Sequence, residues 1–125
     1  MTPNRPDPRE FLPLNPLEFR ILLALRDGSR HGYAIVKDVE RRSSDTEKIF
    51  PANLYRRIRN LLAAGLVTGA APPRSPKQVD DRQRKFFRLT PLGLAVARAE
   101  MARLEELLSE AREKDLVPST TGPTR

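Results

Sequence analysis

The chain has no cysteine and no tryptophan, and its single histidine is His31. Without cysteine it has no disulfide framework, no thiolate ligand and no cysteine nucleophile, which agrees with a reducing compartment. A lone histidine without a carboxylate or thiolate at ligand spacing makes a poor metal site, so we interpret His31 as a contact at the start of a helix. Asp80 and Asp81 are adjacent in a proline-rich stretch, a poor arrangement for binding a metal or catalysing hydrolysis. We interpret them as neutralising the neighbouring arginines. We therefore expect a protein that is not an enzyme and that needs no cofactor or metal.

Long apolar runs are also missing. No stretch approaches the roughly 20 residues of a membrane-spanning helix, and the opening MTPNRPDPRE lacks the apolar segment of a signal peptide. We expect a cytoplasmic protein without membrane contact. With 125 residues, of which 38% are hydrophobic and 6% aromatic, the chain can bury one small core. Chains of this size often gain stability by pairing with a second copy.

Positive charge is concentrated in one segment. Residues 51–88 contain nine basic and two acidic residues, whereas the remaining basic and acidic residues are equal in number, so the whole excess of +7 lies there. A polyanion is the natural partner of such a segment. The nine basic residues are Arg56, Arg57, Arg59, Arg74, Lys77, Arg82, Arg84, Lys85 and Arg88.

Apolar residues at helical spacing, together with capping signals, predict four helices. An asparagine or threonine followed by proline marks the start of the first and fourth helices, and glycine closes the first and third. The predicted helices run from Asn15-Pro16 to Asp27-Gly28, from His31 to Arg42, from Pro51 to Gly65, and from Pro91 to about Lys114.

Two short strands, 66–68 and 85–89, are predicted between the third and fourth helices, joined by a long basic loop. Three helices, a two-stranded wing and a long last helix describe a mainly α fold with a small β-hairpin: a winged helix-turn-helix with a long C-terminal dimerisation helix. We divide the chain into a flexible arm (1–13), a DNA-binding domain (14–90), the dimerisation helix (91–115) and a disordered tail (116–125).

The third helix has the pattern of a DNA-reading element. Its apolar residues leave Asn53, Arg56, Arg57 and Asn60 on the opposite face. Arginine can bond guanine bidentately and asparagine can do the same with adenine, although a solvated charged face is the alternative interpretation. Tyr55 is expected to pack its ring toward the core with its hydroxyl near a phosphate. The predicted DNA contacts are Asn53, Tyr55, Arg56, Arg57, Asn60, Arg74, Lys77, Arg82, Arg84 and Lys85.

The fourth helix is too long for the rest of this small domain to cover it. Its apolar side is therefore expected to pack against a partner helix. Its glutamates argue against the alternative of a helix lying on an anionic membrane surface. The end of the N-terminal arm is expected to help cover the seam. The predicted dimer residues are Phe11, Leu12, Leu14, Val96, Met101, Leu104, Leu107, Leu108 and Ala111.

Four segments, taken together in their order and spacing, resemble the PadR family of bacterial transcriptional regulators. They are HGY at 31–33, PANLY at 51–55, AGL at 64–66 with Leu61 before it, and RKFFRLTPLG at 84–93. The resemblance covers about residues 14–112, and the single terminal helix is similar to that of the shorter PadR subfamily, in which it supplies the dimer contact. The resemblance implies a homodimer bound to a pseudo-palindromic operator in double-stranded DNA. It also implies repression, which a small-molecule effector relieves in several relatives.

Two functions of different classes remain open at this point. The first is a sequence-specific DNA-binding regulator of transcription, acting as a repressor. The alternative is a winged-helix protein-interaction module whose basic face meets an acidic protein. A duplex-binding measurement at two salt concentrations separates them.

Overall fold

The computed structural model describes residues 6–43, 49–71 and 85–116. Within these ranges a three-stranded antiparallel sheet lies beside a bundle of helices. The elements are a 3₁₀ helix at Pro8–Phe11, α1 at Pro16–Ala24, β1 at Arg30–His31, α2 at Gly32–Arg42, α3 at Pro51–Ala64, β2 at Val67–Ala70, β3 at Phe86–Leu89 and α4 at Pro91–Glu113.

The start of α1 follows the predicted capping chemistry. The Asn15 side chain accepts hydrogen bonds from the backbone N–H groups of Leu17 and Glu18, at 2.8 and 3.2 Å. The helix ends at Ala24, earlier than the expected end at Asp27-Gly28. Gly28 instead has a φ of 142°, a backbone conformation that residues with a side chain rarely adopt, and it turns the chain toward β1.

His31 caps α2, as the sequence predicts. Its Nδ1 accepts the backbone N–H of Ala34 at 3.1 Å, so the helix begins at Gly32, one residue later than expected. The predicted bounds of α3 are confirmed at both ends. It begins at Pro51 and is closed by Gly65, whose φ of 81° is left-handed.

The sheet has one strand more than the predicted hairpin. The hairpin partners are β2 and β3, with Val67 opposite Leu89 and Ala70 opposite Phe86. The two-residue strand β1 adds to the other edge of β3, where His31 lies opposite Phe86. The strand order β1-β3-β2 ties the start of α2 to the base of the wing.

The core lies among α1, α2, α3 and the first turns of α4. Its fully buried side chains come from all of these helices and from the chain around β2. They include Ile21, Leu22, Ile35, Val39, Leu54, Leu61, Leu66, Val67 and Val96.

A single threonine joins the end of α3 to the start of α4. The Thr90 hydroxyl donates to the carbonyl of Gly65 at 2.7 Å and accepts the N–H of Gly93 at 2.9 Å. The Thr90 N–H also donates to the Leu66 carbonyl at 3.1 Å. Gly93 lies so close to that carbonyl that a Cβ on it would be 2.0 Å from the oxygen. This junction requires glycine because no side chain fits between the two backbones.

In its described part, from residue 6 onward, the N-terminal arm is ordered against its own chain, unlike the flexible segment that was expected. Pro8–Phe11 forms a 3₁₀ helix with Asp7 as its cap, and this helix packs against α4. Phe11 and Leu12 are partly buried against the core, and Leu14 is buried within it. The apolar end of the arm therefore contacts its own chain.

Candidate nucleic-acid interface

The solvent face of α3 is polar and basic. Leu54, Ile58 and Leu61 point into the core, which fixes the rotation of the helix. The exposed side chains on the opposite side are Tyr55, Arg56, Arg59 and Asn60, with Ala52 and Ala63 at the two ends. Two arginines, an amide and a phenol hydroxyl on one face can bond phosphates and base edges.

This face is rotated by about one residue, or roughly 100°, from the predicted one. Arg56 and Asn60 are exposed as expected. Arg57 is not. Its side chain is 27% exposed, and its Nη1 lies 3.4 Å from Oε2 of Glu18 on α1. Asn53 is half-buried, and its Oδ1 accepts a hydrogen bond from Nη2 of Arg56 at 2.6 Å.

The difference arises at Tyr55, whose ring was expected to pack toward the core. Its side chain is 38% exposed, and its ring packs over Gly32 at the start of α2. A Cβ on Gly32 would be 2.8 Å from Cε1 of that ring. Counting Tyr55 as polar would have brought Arg59 onto the outward face, since the two are four residues apart. Sequence reasoning missed Arg59 for this reason.

A groove of about 480 Å³ separates α3 from the base of the wing. Its walls are the start of α2, the outer face of α3 and the first residues of β3, and it combines aromatic rings with cationic groups. Tyr33 on its rim is 54% exposed, and Nζ of Lys37 lies 5.4 Å from the centre of the Tyr33 ring. The principal lining residues are His31, Tyr33, Tyr55, Arg59, Lys85 and Phe87.

The wing is described only where it joins the sheet. Lys85 is exposed immediately before β3, and Phe86 packs its ring edge against His31 with ring centres 5.3 Å apart. The other predicted wing contacts, Arg74, Lys77, Arg82 and Arg84, lie outside the described residues.

The helix α4 has two regions of different burial. Its first turns belong to the core, and Val96 is fully buried there. Val96 was expected at the dimer seam, but its side chain already packs within its own chain and cannot also meet a partner. Farther along, the helix projects beyond the core, and its large apolar side chains are 38 to 50% exposed. These are Met101, Leu104, Leu107 and Leu108, with Ala111 at intermediate exposure.

Phe11, Leu12 and Leu14, which were also expected at the seam, contact the core of their own chain. Leu14 is buried there and is excluded from the seam for the same reason as Val96, whereas Phe11 and Leu12 are only partly buried, so their contribution to the seam stays a prediction. Their packing explains why the N-terminal segment lies beside α4.

An ion pair between a buried carboxylate and a partly exposed arginine marks the boundary between the two regions of α4. Glu100 is 3% exposed and accepts hydrogen bonds from Nε and Nη2 of Arg103, at 2.7 and 2.8 Å. These bonds lower the pKa of the Glu100 carboxyl below its usual range against the opposing effect of burial, and the nearby backbone of Leu14 lowers it further. The carboxylate is therefore held charged next to the exposed apolar stretch.

None of the helices formed by residues 6–43, 49–71 and 85–116 is both long enough and apolar enough to cross a membrane.

Comparison with known proteins places this geometry in a family. The family model of the transcriptional regulator PadR-like family matches residues 21–103. A search of curated proteins found no match. Among solved structures, a PadR family transcription regulator from Clostridium difficile superposes with a TM-score of 0.67 at 19% sequence identity, over 79% of this chain and 97% of that chain.

Two other solved structures share the fold. A mutant of MarR from E. coli superposes with a TM-score of 0.65 at 16% identity, over 88% of this chain and 71% of that chain. BpsR of Bordetella bronchiseptica gives 0.60 at 23% identity, over 82% of this chain and 66% of that chain. Since the family match spans more than half of the chain and the fold agrees with it, the chain belongs to the PadR-like family and is a DNA-binding transcriptional regulator.

Proposed function

We propose that this chain is a dimeric repressor that holds a pseudo-palindromic operator with α3 and a basic wing. The observation that carries the proposal is the outer face of α3, where Arg56, Arg59 and Asn60 stand exposed on one side. This face lies in the segment that holds all the excess positive charge. A helix of this kind fits the major groove, where arginine and asparagine distinguish guanine and adenine.

The residues around the groove between α3 and the wing suit the DNA backbone. Tyr33 and Lys85 line the groove with a hydroxyl and an ammonium group, and Lys37 lies against the Tyr33 ring, with its Nζ 3.7 Å from Oε1 of Glu40. Contacts of this type fix the register of a protein on the duplex and carry most of the salt dependence, while base contacts select the sequence. We assign Arg56, Arg59 and Asn60 to base edges and the three flanking side chains to phosphates.

Dimerisation is proposed through the projecting part of α4. The exposed apolar stretch from Met101 to Leu108 continues in a helix that the core no longer covers. One winged helix has too small a footprint to select a site in a genome, whereas two related by a twofold axis read a palindrome. Half-sites are then expected about 10 base pairs apart, or a multiple of that spacing.

The dimer is tested by replacing Leu104 and Leu108 with glutamate, which would bury like charges at the twofold axis. We expect a monomer, or a poorly folded chain, that binds DNA weakly. Leu116→Glu is the matched control because Leu116 is 77% exposed beyond the end of α4. Light scattering of all three proteins, followed by DNA titration, provides the measurement. A parent that is monomeric at micromolar concentration would refute this dimer.

Operator binding is tested by footprinting the purified protein on the DNA upstream of its own gene, since local repressors often regulate themselves. We expect a protected palindrome and an affinity that falls steeply with salt. Arg56→Ala should weaken operator binding by about 1 to 3 kcal/mol and relax the preference at one base pair. Lys85→Ala should weaken all duplexes equally and reduce the salt slope by about one unit. A protein that binds no duplex, even at the lower of two salt concentrations, would instead favour the acidic-protein partner.

Relief by a small molecule is the last part of the proposal. DNA binding of BpsR is regulated by 6-hydroxynicotinic acid, and that protein shares the present fold. The groove of about 480 Å³ beside α3 is large enough for a compact effector, which would compete there with DNA. Titrating 6-hydroxynicotinic acid into the operator complex tests one candidate. Release at submillimolar concentration supports it, and no release at 10 mM, on the order of the weakest useful affinity, excludes this compound.

A further inference from the structure

Arg57 is the basic residue of α3 that does not face solvent. Its Nη1 lies 3.4 Å from Oε2 of Glu18, and the two side chains are 27 and 16% exposed. Its Nε is buried and has no hydrogen-bond partner among the residues that the structure describes. The guanidinium group is therefore directed toward α1 and away from the outer face of the helix.

Moving Arg57 onto DNA would break this contact. Glu18 would be left as a poorly solvated carboxylate without its cation, and removing one partner of such a pair costs more than the pair contributes. Glu18 also lies in the first turn of α1, where the Asn15 side chain already binds its backbone N–H. The ion pair thus connects a well-capped helix end to the middle of α3.

Arg59 has the opposite environment. It is exposed on α3, it lines the groove beside the wing, and it lies on the same face as Arg56 and Asn60. No ion pair to Arg59 is found in the described part of the chain. Its charge is available to DNA without the loss of a protein contact.

Resting on the DNA-binding function proposed above, we propose that Arg57 is a positioning residue which anchors α3 to α1 through Glu18, while Arg59 takes the base-reading role. The two arginines are only two residues apart, and a sequence pattern alone assigns the wrong one. The consequence is that loss of Arg57 weakens binding to every duplex by loosening α3, whereas loss of Arg59 changes which duplex is preferred.

A charge swap tests this division. Arg57→Glu alone places two carboxylates against each other, and we expect operator binding to fall by about tenfold or more. Adding Glu18→Arg restores an ion pair of opposite polarity, and binding should return to within about threefold of the parent, because the altered charge does not touch DNA. If Arg57 contacted DNA, the swapped protein would present a carboxylate to the duplex and stay defective. Glu18→Arg alone is the matched control, because it places two cations against each other and should be about as defective as Arg57→Glu alone.

A second pair of variants distinguishes the loss of a DNA contact from misfolding of the protein. Arg57→Met and Arg59→Met remove each charge but keep much of the side-chain volume. Competition with single-base operator variants should show unchanged preference for Arg57→Met, and a loss of discrimination of roughly 5- to 150-fold at one base pair for Arg59→Met. Circular dichroism and melting temperature establish that each variant is folded.

Each outcome decides between the two assignments. A folded swap protein that binds no better than Arg57→Glu, or an Arg57→Met protein that loses discrimination at one base pair, overturns the proposal while DNA binding by the parent stands. A parent that binds no duplex refutes the proposed function itself, and the roles assigned here fall with it.

Discussion

Replacing Gly93 with alanine should strongly destabilise the protein. The added Cβ would lie 2.0 Å from the carbonyl oxygen of Leu66 and 3.2 Å from Cδ2 of Leu89. Since carbon and oxygen approach to about 3.3 Å at best, α4 and the Leu66 backbone must separate by more than about 1 Å. Overpacking of this kind costs roughly 1 to 3 kcal/mol, and more where backbone must move.

Two smaller effects modify this estimate. The displaced Leu66 carbonyl is the acceptor of the Thr90 N–H at 3.1 Å, and the loss of that bond adds about 1 kcal/mol. Alanine is a better helix former than glycine by about 1 kcal/mol, and this gain offsets the loss of the hydrogen bond. The net expectation for Gly93→Ala is a loss of about 2 to 3 kcal/mol in the free energy of unfolding, or roughly 10 °C in melting temperature.

Urea unfolding and thermal melts at matched protein concentration provide the measurement, because the stability of a dimer depends on concentration. Gly69→Ala is the control. Its Cβ would meet nothing closer than 4.0 Å, so it should change stability by no more than about 0.5 kcal/mol. If Gly93→Ala were as stable as this control, the close approach of α4 to the Leu66 backbone would be refuted.

Three further changes should give distinct results. Thr90→Ala should lower the free energy of unfolding by about 1 to 2 kcal/mol, and Thr90→Ser by much less, because the hydroxyl caps α4; urea unfolding compares them. Arg103 lowers the pKa of Glu100 in the folded state. The stability that this ion pair gives the fold is therefore fully present above pH 4.5, the ordinary pKa of the group, and is lost as the pH falls through the lowered pKa. Stability measured from pH 5 to pH 3 should therefore fall less in Glu100→Gln than in the parent, and parallel curves would contradict this. Gly32→Ala should displace the Tyr55 ring and weaken operator binding several-fold at nearly unchanged melting temperature, as fluorescence anisotropy and a thermal melt can show.

Local signals in the sequence were enough to locate the helices. Asn15, Pro51, Gly65 and Thr90 each act through their own backbone neighbourhood, so the caps that they form were predictable from the sequence. The short strand β1 was missed because two residues carry no alternating pattern and pair only after β3 is in place.

The orientation of side chains was harder to predict, since it depends on partners distant in sequence. The contact between Glu18 and Arg57 joins residues 39 positions apart, and the sequence around Arg57 does not predict it. Val96 and Leu104 continue one apolar pattern along α4, but only the first lies beside the core. Periodicity shows which side of a helix is apolar and does not show where the core ends.

The Thr90 junction has a mechanical consequence for a dimer built on α4. Because the Thr90 hydroxyl bonds both Gly65, which caps α3, and the first turn of α4, the two helices are expected to move as one rigid unit. A small change in the crossing angle of two paired α4 helices would then produce a larger change in the separation of the two α3 helices. Spin labels at Asn60 in both subunits would measure it, and a separation that stays constant when the α4 seam is altered would contradict this coupling. The geometry of the α4 pair would then determine the spacing of the two DNA half-sites to which a dimer can bind.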